Sequence, residues 1–174
     1  GNAPALVFEG ADLDVAVRGL IDAKFRNAGQ TCVCANRIYV QAPIYDAFAV
    51  RLAKAVAGLT VGDGRDEGTR IGPLIDGAAR RRICGLIDSA VSGGARIMTG
   101  GGAAPVPGGQ FLAPTVLSGV SHDMEIARTE IFGPVAPLIR FDTESEAIAL
   151  ANDSIHGLAA YVFDRDPDRL VRVT

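Results

Sequence analysis

Short apolar runs alternate with helix-like spacing along the chain. The strand candidates are residues 5–8, 37–40, 96–99, 134–141 and 158–163, and residues 111–120 are mostly extended. Between these runs, apolar side chains recur every three or four residues, which is the spacing of one helix face. The alternation predicts an α/β fold with a mostly parallel sheet flanked by helices.

Local signals mark where the predicted helices begin. Asp12 opens the first, Pro43 suits the first turn of the second, and Asp76 can cap a third that runs to about residue 91. Thr143 begins a capping box with a glutamate three residues later, and Asp166 followed by proline opens the last helix. The predicted inward face of the third helix consists of Ile83, Leu86, Ile87, Ala90 and Val91.

The composition narrows the class of protein. The chain has 174 residues, 48% hydrophobic and 21% charged, with a net charge of −3, which fits one globular domain with a core. No basic run favours nucleic acid, and the arginines at 80–82 are interpreted as a solvated helix face. No apolar run approaches the roughly 20 residues that cross a membrane. Three cysteines make no disulfide framework, so we expect a cytoplasmic setting.

We expect residues 1–174 to be a piece of a longer protein. The first residue is Gly1 rather than methionine, and Thr174 falls inside a predicted helix. The glycine-rich stretch at 100–110 is interpreted as a surface loop, because similar patterning resumes after it. No G-x-G-x-x-G motif follows a strand, so no dinucleotide site of that kind is predicted here.

The segment 24–37 carries the clearest candidate chemistry. Within it, Cys32 follows a polar Gly-Gln loop between a helical and a strand pattern. A cysteine in such a loop can be exposed among backbone N–H groups, which favour the nucleophilic thiolate. Arg26 adds a positive charge that could favour the thiolate or hold an anionic substrate. The loop alone leaves open that Cys32 is a small core residue.

The residues around Cys32 resemble the active-site loop of the aldehyde dehydrogenases. The block Phe-Arg-Asn-Ala-Gly-Gln-Thr-Cys-Val-Cys is most similar to the succinate-semialdehyde branch of that family. Residues 130–134, Glu-Ile-Phe-Gly-Pro, resemble the family's second signature, and the similarity extends over the whole chain. The resemblance implies part of the family's catalytic domain, with the nucleotide-binding and oligomerisation elements largely outside residues 1–174.

The resemblance implies roles for four residues. Cys32 would attack the aldehyde, and Arg26 would hold a substrate carboxylate. Glu130 would bind the ribose hydroxyls of NAD or NADP, and Phe132 would pack beside the nicotinamide. The implied reaction converts succinate semialdehyde to succinate through a cysteine thiohemiacetal and a thioester. The alternatives are an Arg26 that binds helix-terminal carbonyls and a Glu130 that is an ordinary surface residue.

Residues 1–4 resemble the end of the family's Glu-Leu-Gly-Gly motif. The glutamate of that motif is the family's usual general base, and it would precede Gly1. We therefore expect residues 1–174 alone to be inactive. The resemblance also implies that the complete protein acts on a small aldehyde and forms a homodimer or homotetramer.

Cys34 has two further interpretations. A disulfide with Cys32 would silence the nucleophile reversibly, as the resemblance to redox-regulated members of the family implies. A metal site would need two more ligands, and Cys84, His122 and His156 are scattered, so no metal is expected.

Three alternative functions stay open. The complete protein could oxidise another carboxylated semialdehyde, such as glutarate semialdehyde. A non-catalytic structural module would keep the fold but bury an inert thiol at Cys32. A cysteine hydrolase would need a histidine beside Cys32, and nothing in the spacing of the two histidines indicates one.

Overall fold

One six-stranded sheet runs through the computed structural model, which describes residues 1–174. Its strands are β1 (Ala3–Val7), β2 (Ala35–Gln41), β3 (Arg96–Thr99), β4 (Thr115–Ser118), β5 (Val135–Phe141) and β6 (Tyr161–Phe163). The helices are α1 (Leu13–Phe25), α2 (Tyr45–Ala57), α3 (Gly77–Ser92), α4 (Glu125–Arg128), α5 (Glu144–Asn152) and α6 (Pro167–Val173). Short 3₁₀ turns occupy Arg26–Gly29 and Ala42–Ile44.

The sheet is parallel except at one edge. Its strand order is β3-β4-β5-β2-β1-β6, and only the β3–β4 pair is antiparallel. The prediction of an α/β fold with a mostly parallel sheet is therefore confirmed. Because parallel neighbours point the same way, the segments that enter β1, β2, β5 and β6 meet at one edge of the sheet.

Helices cover both faces of the sheet, and the sheet separates the core into two clusters. Alternate residues of β1 point to opposite faces, so Ala5 and Val7 join one cluster, and Leu6 joins the other. The first cluster packs α1 and α2 against the sheet, and the second packs α3, α4 and α5. Each helix therefore buries one apolar stripe.

Four of the predicted helix starts are confirmed by their caps. Oxygen atoms in the side chains of Asp12, Asp76 and Asp166 accept hydrogen bonds from first-turn N–H groups. Thr143 and Glu146 form the full capping box at the start of α5. Caps of this kind contribute about 1 kcal/mol each to stability.

Several predicted details are wrong. Val91 is 39% exposed, because the buried face of α3 is the i, i+3, i+4, i+7 set that ends at Ala90. The first strand ends at Val7, and the last is confined to Tyr161–Phe163. Pro43 lies in a 3₁₀ turn ahead of α2 rather than in its first α-helical turn. Helix α4 was not predicted, because four residues are too few to show a period.

No helix combines the length and the apolar character needed to cross a membrane. All three cysteines are free thiols, with Cys32 exposed, Cys34 buried and Cys84 partly buried. No group of three or more His, Cys, Asp or Glu side chains is arranged to hold a metal ion.

Candidate active site

Cys32 lies in a tight turn between α1 and β2. The chain leaves α1 through Asn27 and Ala28, both in the left-handed region with φ near +52° and +54°, and then Gly29 at +74°. These conformations reverse the chain sharply before β2 begins at Ala35. The side chain of Cys32 is exposed at the outer side of the turn, as a nucleophile requires.

The Gly-Gln pair before Cys32 has a structural reason. A Cβ atom on Gly29 would overlap the carbonyl group of Gly133, so only glycine fits. The Gln30 side chain donates to the carbonyl oxygen of Pro73 at 3.2 Å and accepts from the N–H of Ile75 at 2.9 Å. The Cys32 loop is therefore hydrogen-bonded to the 73–75 loop and packs closely against the 130–134 segment.

The inner side of the turn is polar and enclosed. The N–H of Cys34 donates to the Thr31 carbonyl at 3.1 Å, and the Cys34 Sγ lies 2.9 Å from the Thr31 hydroxyl. The Tyr161 hydroxyl donates to the Val33 carbonyl at 2.6 Å. Cys34 is only 4% exposed, so the two neighbouring thiols have opposite environments.

The segment that enters β1 touches both signature motifs. The backbone nitrogen of Gly1 lies 2.7 Å from the Glu130 carboxylate. A Cβ atom on Gly1 would overlap the carbonyl oxygen of Cys32 and would lie 3.6 Å from the Leu158 side chain. The turn bearing Cys32 and the carboxylate of Glu130 therefore both lie against Gly1.

The loop that carries Glu130 and Phe132 is held by α3. The Arg82 guanidinium donates to the carbonyl oxygens of Ile131 at 2.5 Å and Glu130 at 3.4 Å. Phe132 has a φ of +52°, in the left-handed region, and is 39% exposed. Arg81 and Arg82 are exposed, as the interpretation of a solvated helix face expects, and Arg82 in addition donates to these two carbonyl groups.

Arg26 is exposed and lines a cleft of about 390 Å³. Half of the residues that line the cleft are apolar, namely Ile21, Phe25, Leu59 and Ile71. Asp22 and Arg70 add charged side chains to its walls. Burial and the nearby Cys34 raise the pKa of Tyr161, and the charge of Arg26 opposes that shift. Cys32 itself does not line this cleft.

The two histidines are engaged elsewhere. In His122, Nδ1 lies 2.9 Å from the Tyr39 hydroxyl and Nε2 lies 2.8 Å from an oxygen of Asp153. His156 is exposed, and its backbone N–H donates to the Ser154 hydroxyl. The arrangement therefore offers no Cys–His pair of the kind that a cysteine hydrolase uses.

Comparison with known proteins shows the family to which the chain belongs. The sequence model of the aldehyde dehydrogenase family matches residues 1–174, so the chain belongs to that family. It is 53% identical to a glutarate-semialdehyde dehydrogenase of Pseudomonas putida, over 99% of this chain and 35% of that protein. It is 52% identical to an NADP(+) succinate-semialdehyde dehydrogenase of Escherichia coli, over 99% of this chain and 36% of that protein.

A solved structure shows the same fold. The crystal structure of succinate-semialdehyde dehydrogenase from Burkholderia pseudomallei superposes with a TM-score of 0.97 at 52% identity, and the match covers 99% of this chain and 36% of that one. The chain thus spans about a third of the length of these relatives.

Proposed function

We propose that the complete protein oxidises a carboxylated aldehyde, succinate semialdehyde, to the corresponding acid with NAD or NADP. The observation that carries this proposal is the exposed Cys32 in a preformed turn, next to the segment that bears Glu130 and Phe132. Membership of the aldehyde dehydrogenase family and the substrates in the names of its relatives support the same chemistry.

Cys32 acts as the nucleophile in this proposal. Its thiolate adds to the aldehyde carbon, and the carbonyl oxygen takes up the negative charge of a thiohemiacetal. That oxygen needs preorganised donors, and the backbone N–H of Cys32 donates to no other backbone group. The same turn therefore supplies both the nucleophile and one donor for the oxyanion.

Hydride loss from the thiohemiacetal leaves a thioester on Cys32, and water releases the acid. NAD or NADP, when bound, accepts the hydride. Overall, the aldehyde, water and oxidised cofactor yield the acid, reduced cofactor and a proton. The family's usual general base is a glutamate expected outside residues 1–174, so we propose that activity requires the complete protein.

The residues at the edge of the sheet fit the cofactor. The carboxylate of Glu130 is about one third exposed and can accept hydrogen bonds from a ribose diol. Phe132 presents an exposed ring from a fixed backbone position, which suits a flat nicotinamide. Arg82 would hold both residues in place through the carbonyl groups of their loop.

Arg26 is proposed to bind the substrate carboxylate. Its guanidinium is exposed in a cleft with apolar walls, which suits a short aliphatic acid. Glutarate semialdehyde, which is one methylene longer, is the alternative substrate. The Pseudomonas putida relative, whose name gives that activity, favours it.

We extend the proposal to the assembly, the compartment and the regulation of the complete protein. Three free thiols support a reducing cytoplasm. The family resemblance supports a homodimer or homotetramer. A Cys32–Cys34 disulfide would need Cys34 to leave its buried position, because its side chain points beneath the turn. The exposed thiol at Cys32 weighs against a purely structural module.

Replacement of the nucleophile tests the proposed function. In the complete protein, Cys32→Ser should reduce NAD(P)H formation from succinate semialdehyde by at least ~10³-fold, because a serine hydroxyl is rarely ionised. Cys84→Ser, on the partly buried side of α3, is the matched control and should keep the activity. A Cys32→Ser enzyme with normal turnover would refute the proposal.

A further inference from the structure

A buried lysine lies beneath the Cys32 turn. Lys24, in the last turn of α1, has no exposed surface, and its ammonium donates to Oδ1 of Asn36 at 2.8 Å. Burying an ammonium that makes a single hydrogen bond costs folding free energy, so the presence of a lysine at this position needs an explanation. Burial lowers the pKa of Lys24 to about 8, while the nearby Cys34 and Glu130 oppose that shift. Lys24 is therefore mostly charged at neutral pH.

Lys24 begins a chain of buried hydrogen bonds. Nδ2 of Asn36 donates a hydrogen bond to Oδ1 of Asn2 at 3.1 Å. Asn2 in turn donates from Nδ2 to the carbonyl oxygen of Ala127 at 3.1 Å. Both asparagines are almost fully buried. Such a network holds its members in one arrangement because any broken link leaves a buried polar group unpaired.

The network connects helix α1, strand β2, the segment before β1 and helix α4. Helix α1 leads into the Cys32 turn, and β2 carries the chain away from it. Asn2 follows Gly1, which packs against the Cys32 carbonyl. Ala127 lies in α4, directly before the segment of Glu130. These segments could shift relative to one another, and the buried side chain of Lys24 lies where they meet.

We propose that Lys24 is a positioning residue for Cys32, and this proposal rests on the function proposed above. Through Asn36 and Asn2, Lys24 fixes the Cys32 turn relative to the segment that bears Glu130. Its ammonium also keeps a positive charge in the protein interior near Cys34 and Glu130, where charge interactions are weakly screened. Its full burial separates it from substrate and cofactor, so its effect passes through the turn.

The test is Lys24→Met in the complete protein, which keeps an apolar stem and removes the charge and the bond to Asn36. The reaction of Cys32 with iodoacetamide is followed from about pH 6 to about pH 10 by tandem mass spectrometry, which separates Cys32 from Cys34. We expect at least ~3-fold slower alkylation of Cys32 at pH 7, because the turn that presents the thiol is no longer held in one arrangement. In turnover, kcat should fall about tenfold while each KM changes less than about twofold.

A matched control and a second variant complete the test. Lys54→Met removes the same charge from the exposed side of α2 and should change neither readout. Asn36→Asp keeps the shape of the side chain and the oxygen that accepts from Lys24. It removes the amide that donates to Asn2, and the new carboxylate neutralises the charge of the Lys24 ammonium. This variant should slow Cys32 alkylation in the same direction, and it decides the question if Lys24→Met does not fold.

Two outcomes would overturn the proposal. A folded Lys24→Met protein with the wild-type alkylation profile and kcat would show that Lys24 only stabilises the fold, even if the Tm were lower. Asn36→Asp with wild-type reactivity would do the same. If wild-type protein reduces no cofactor with any aldehyde while Cys32 alkylation still depends on Lys24, the proposed function fails, but the positioning of the thiol by Lys24 is supported.

Discussion

The carbonyl group of Gly133 occupies the space where a Cβ atom of Gly29 would lie. These residues belong to the two signature segments, which are far apart in sequence and enter the neighbouring strands β2 and β5. Gly29 also has a φ of +74°, so its position is restricted by backbone conformation as well as by space. The two segments can approach closely only because this residue has no side chain.

Gly29→Ala should therefore be strongly destabilising. The left-handed backbone costs an alanine about 1–2 kcal/mol, and the overlap with the Gly133 backbone adds to that cost because a backbone cannot rotate away. We expect a total loss of at least ~3 kcal/mol in the free energy of unfolding, measured by urea denaturation. Gly64→Ala is the control, because a Cβ atom there meets nothing within 4 Å. Equal stability of both variants would contradict the packing described here.

Arg82→Met should weaken cofactor binding more than aldehyde binding. Arg82 fixes the carbonyl groups of Glu130 and Ile131, so its loss frees the loop that also carries Phe132. We expect the KM for NAD or NADP to rise about 5- to 10-fold, with the KM for the aldehyde nearly unchanged. Steady-state kinetics on the complete protein measures both constants.

Arg81→Met is the control for that experiment, since its side chain is exposed on the same helix. If both variants raised the cofactor KM equally, the effect would come from the charge of α3, and the specific role of Arg82 would be refuted.

Lys24 should make stability depend on pH in the alkaline range. Its pKa falls from 10.5 in the unfolded chain to about 8 in the folded one, mainly through burial. Between these values the unfolded state binds more protons, so stability rises with pH; the gain is present above about 10.5 and is lost as pH falls through about 8. Relative to Lys24→Met, the wild type should gain roughly 3 kcal/mol over that window.

Urea unfolding of the two proteins at several pH values measures this difference. The comparison with Lys24→Met removes the titration of tyrosines and other groups that the two proteins share. A difference between the two proteins that stays constant from pH 8 to pH 10.5 would contradict a lowered pKa at Lys24.

Locally encoded features were predictable from the sequence. Asp12, Asp76 and Thr143 mark their helices because a cap depends on residues only a few positions away. The alternation of strands and helices likewise indicated a parallel sheet. The same local signals overextended the last strand, because Leu158 approaches Gly1 at the edge of the sheet instead of pairing with β1.

The assembly of the site was less predictable. Cys32, Gly1 and Glu130 meet because β1, β2 and β5 are parallel neighbours, and strand order is a long-range property with no local signal. Arg82 was missed because its partners are backbone carbonyls, which have no sequence signature. The sequence shows Lys24 only as part of the motif, because its burial depends on the packing of α1 against the sheet.

The role of Arg26 gives the most direct test of the central claim, a cysteine dehydrogenase for carboxylated aldehydes. Cofactor reduction by the complete protein should be compared for succinate semialdehyde and butanal, which have equal chain length. We predict a preference of ~100-fold or more in kcat/KM for the carboxylated substrate, equivalent to roughly 2.7 kcal/mol, and loss of most of it in Arg26→Ala. Equal kcat/KM values for the two aldehydes, or a preference that survives in Arg26→Ala, would contradict the account.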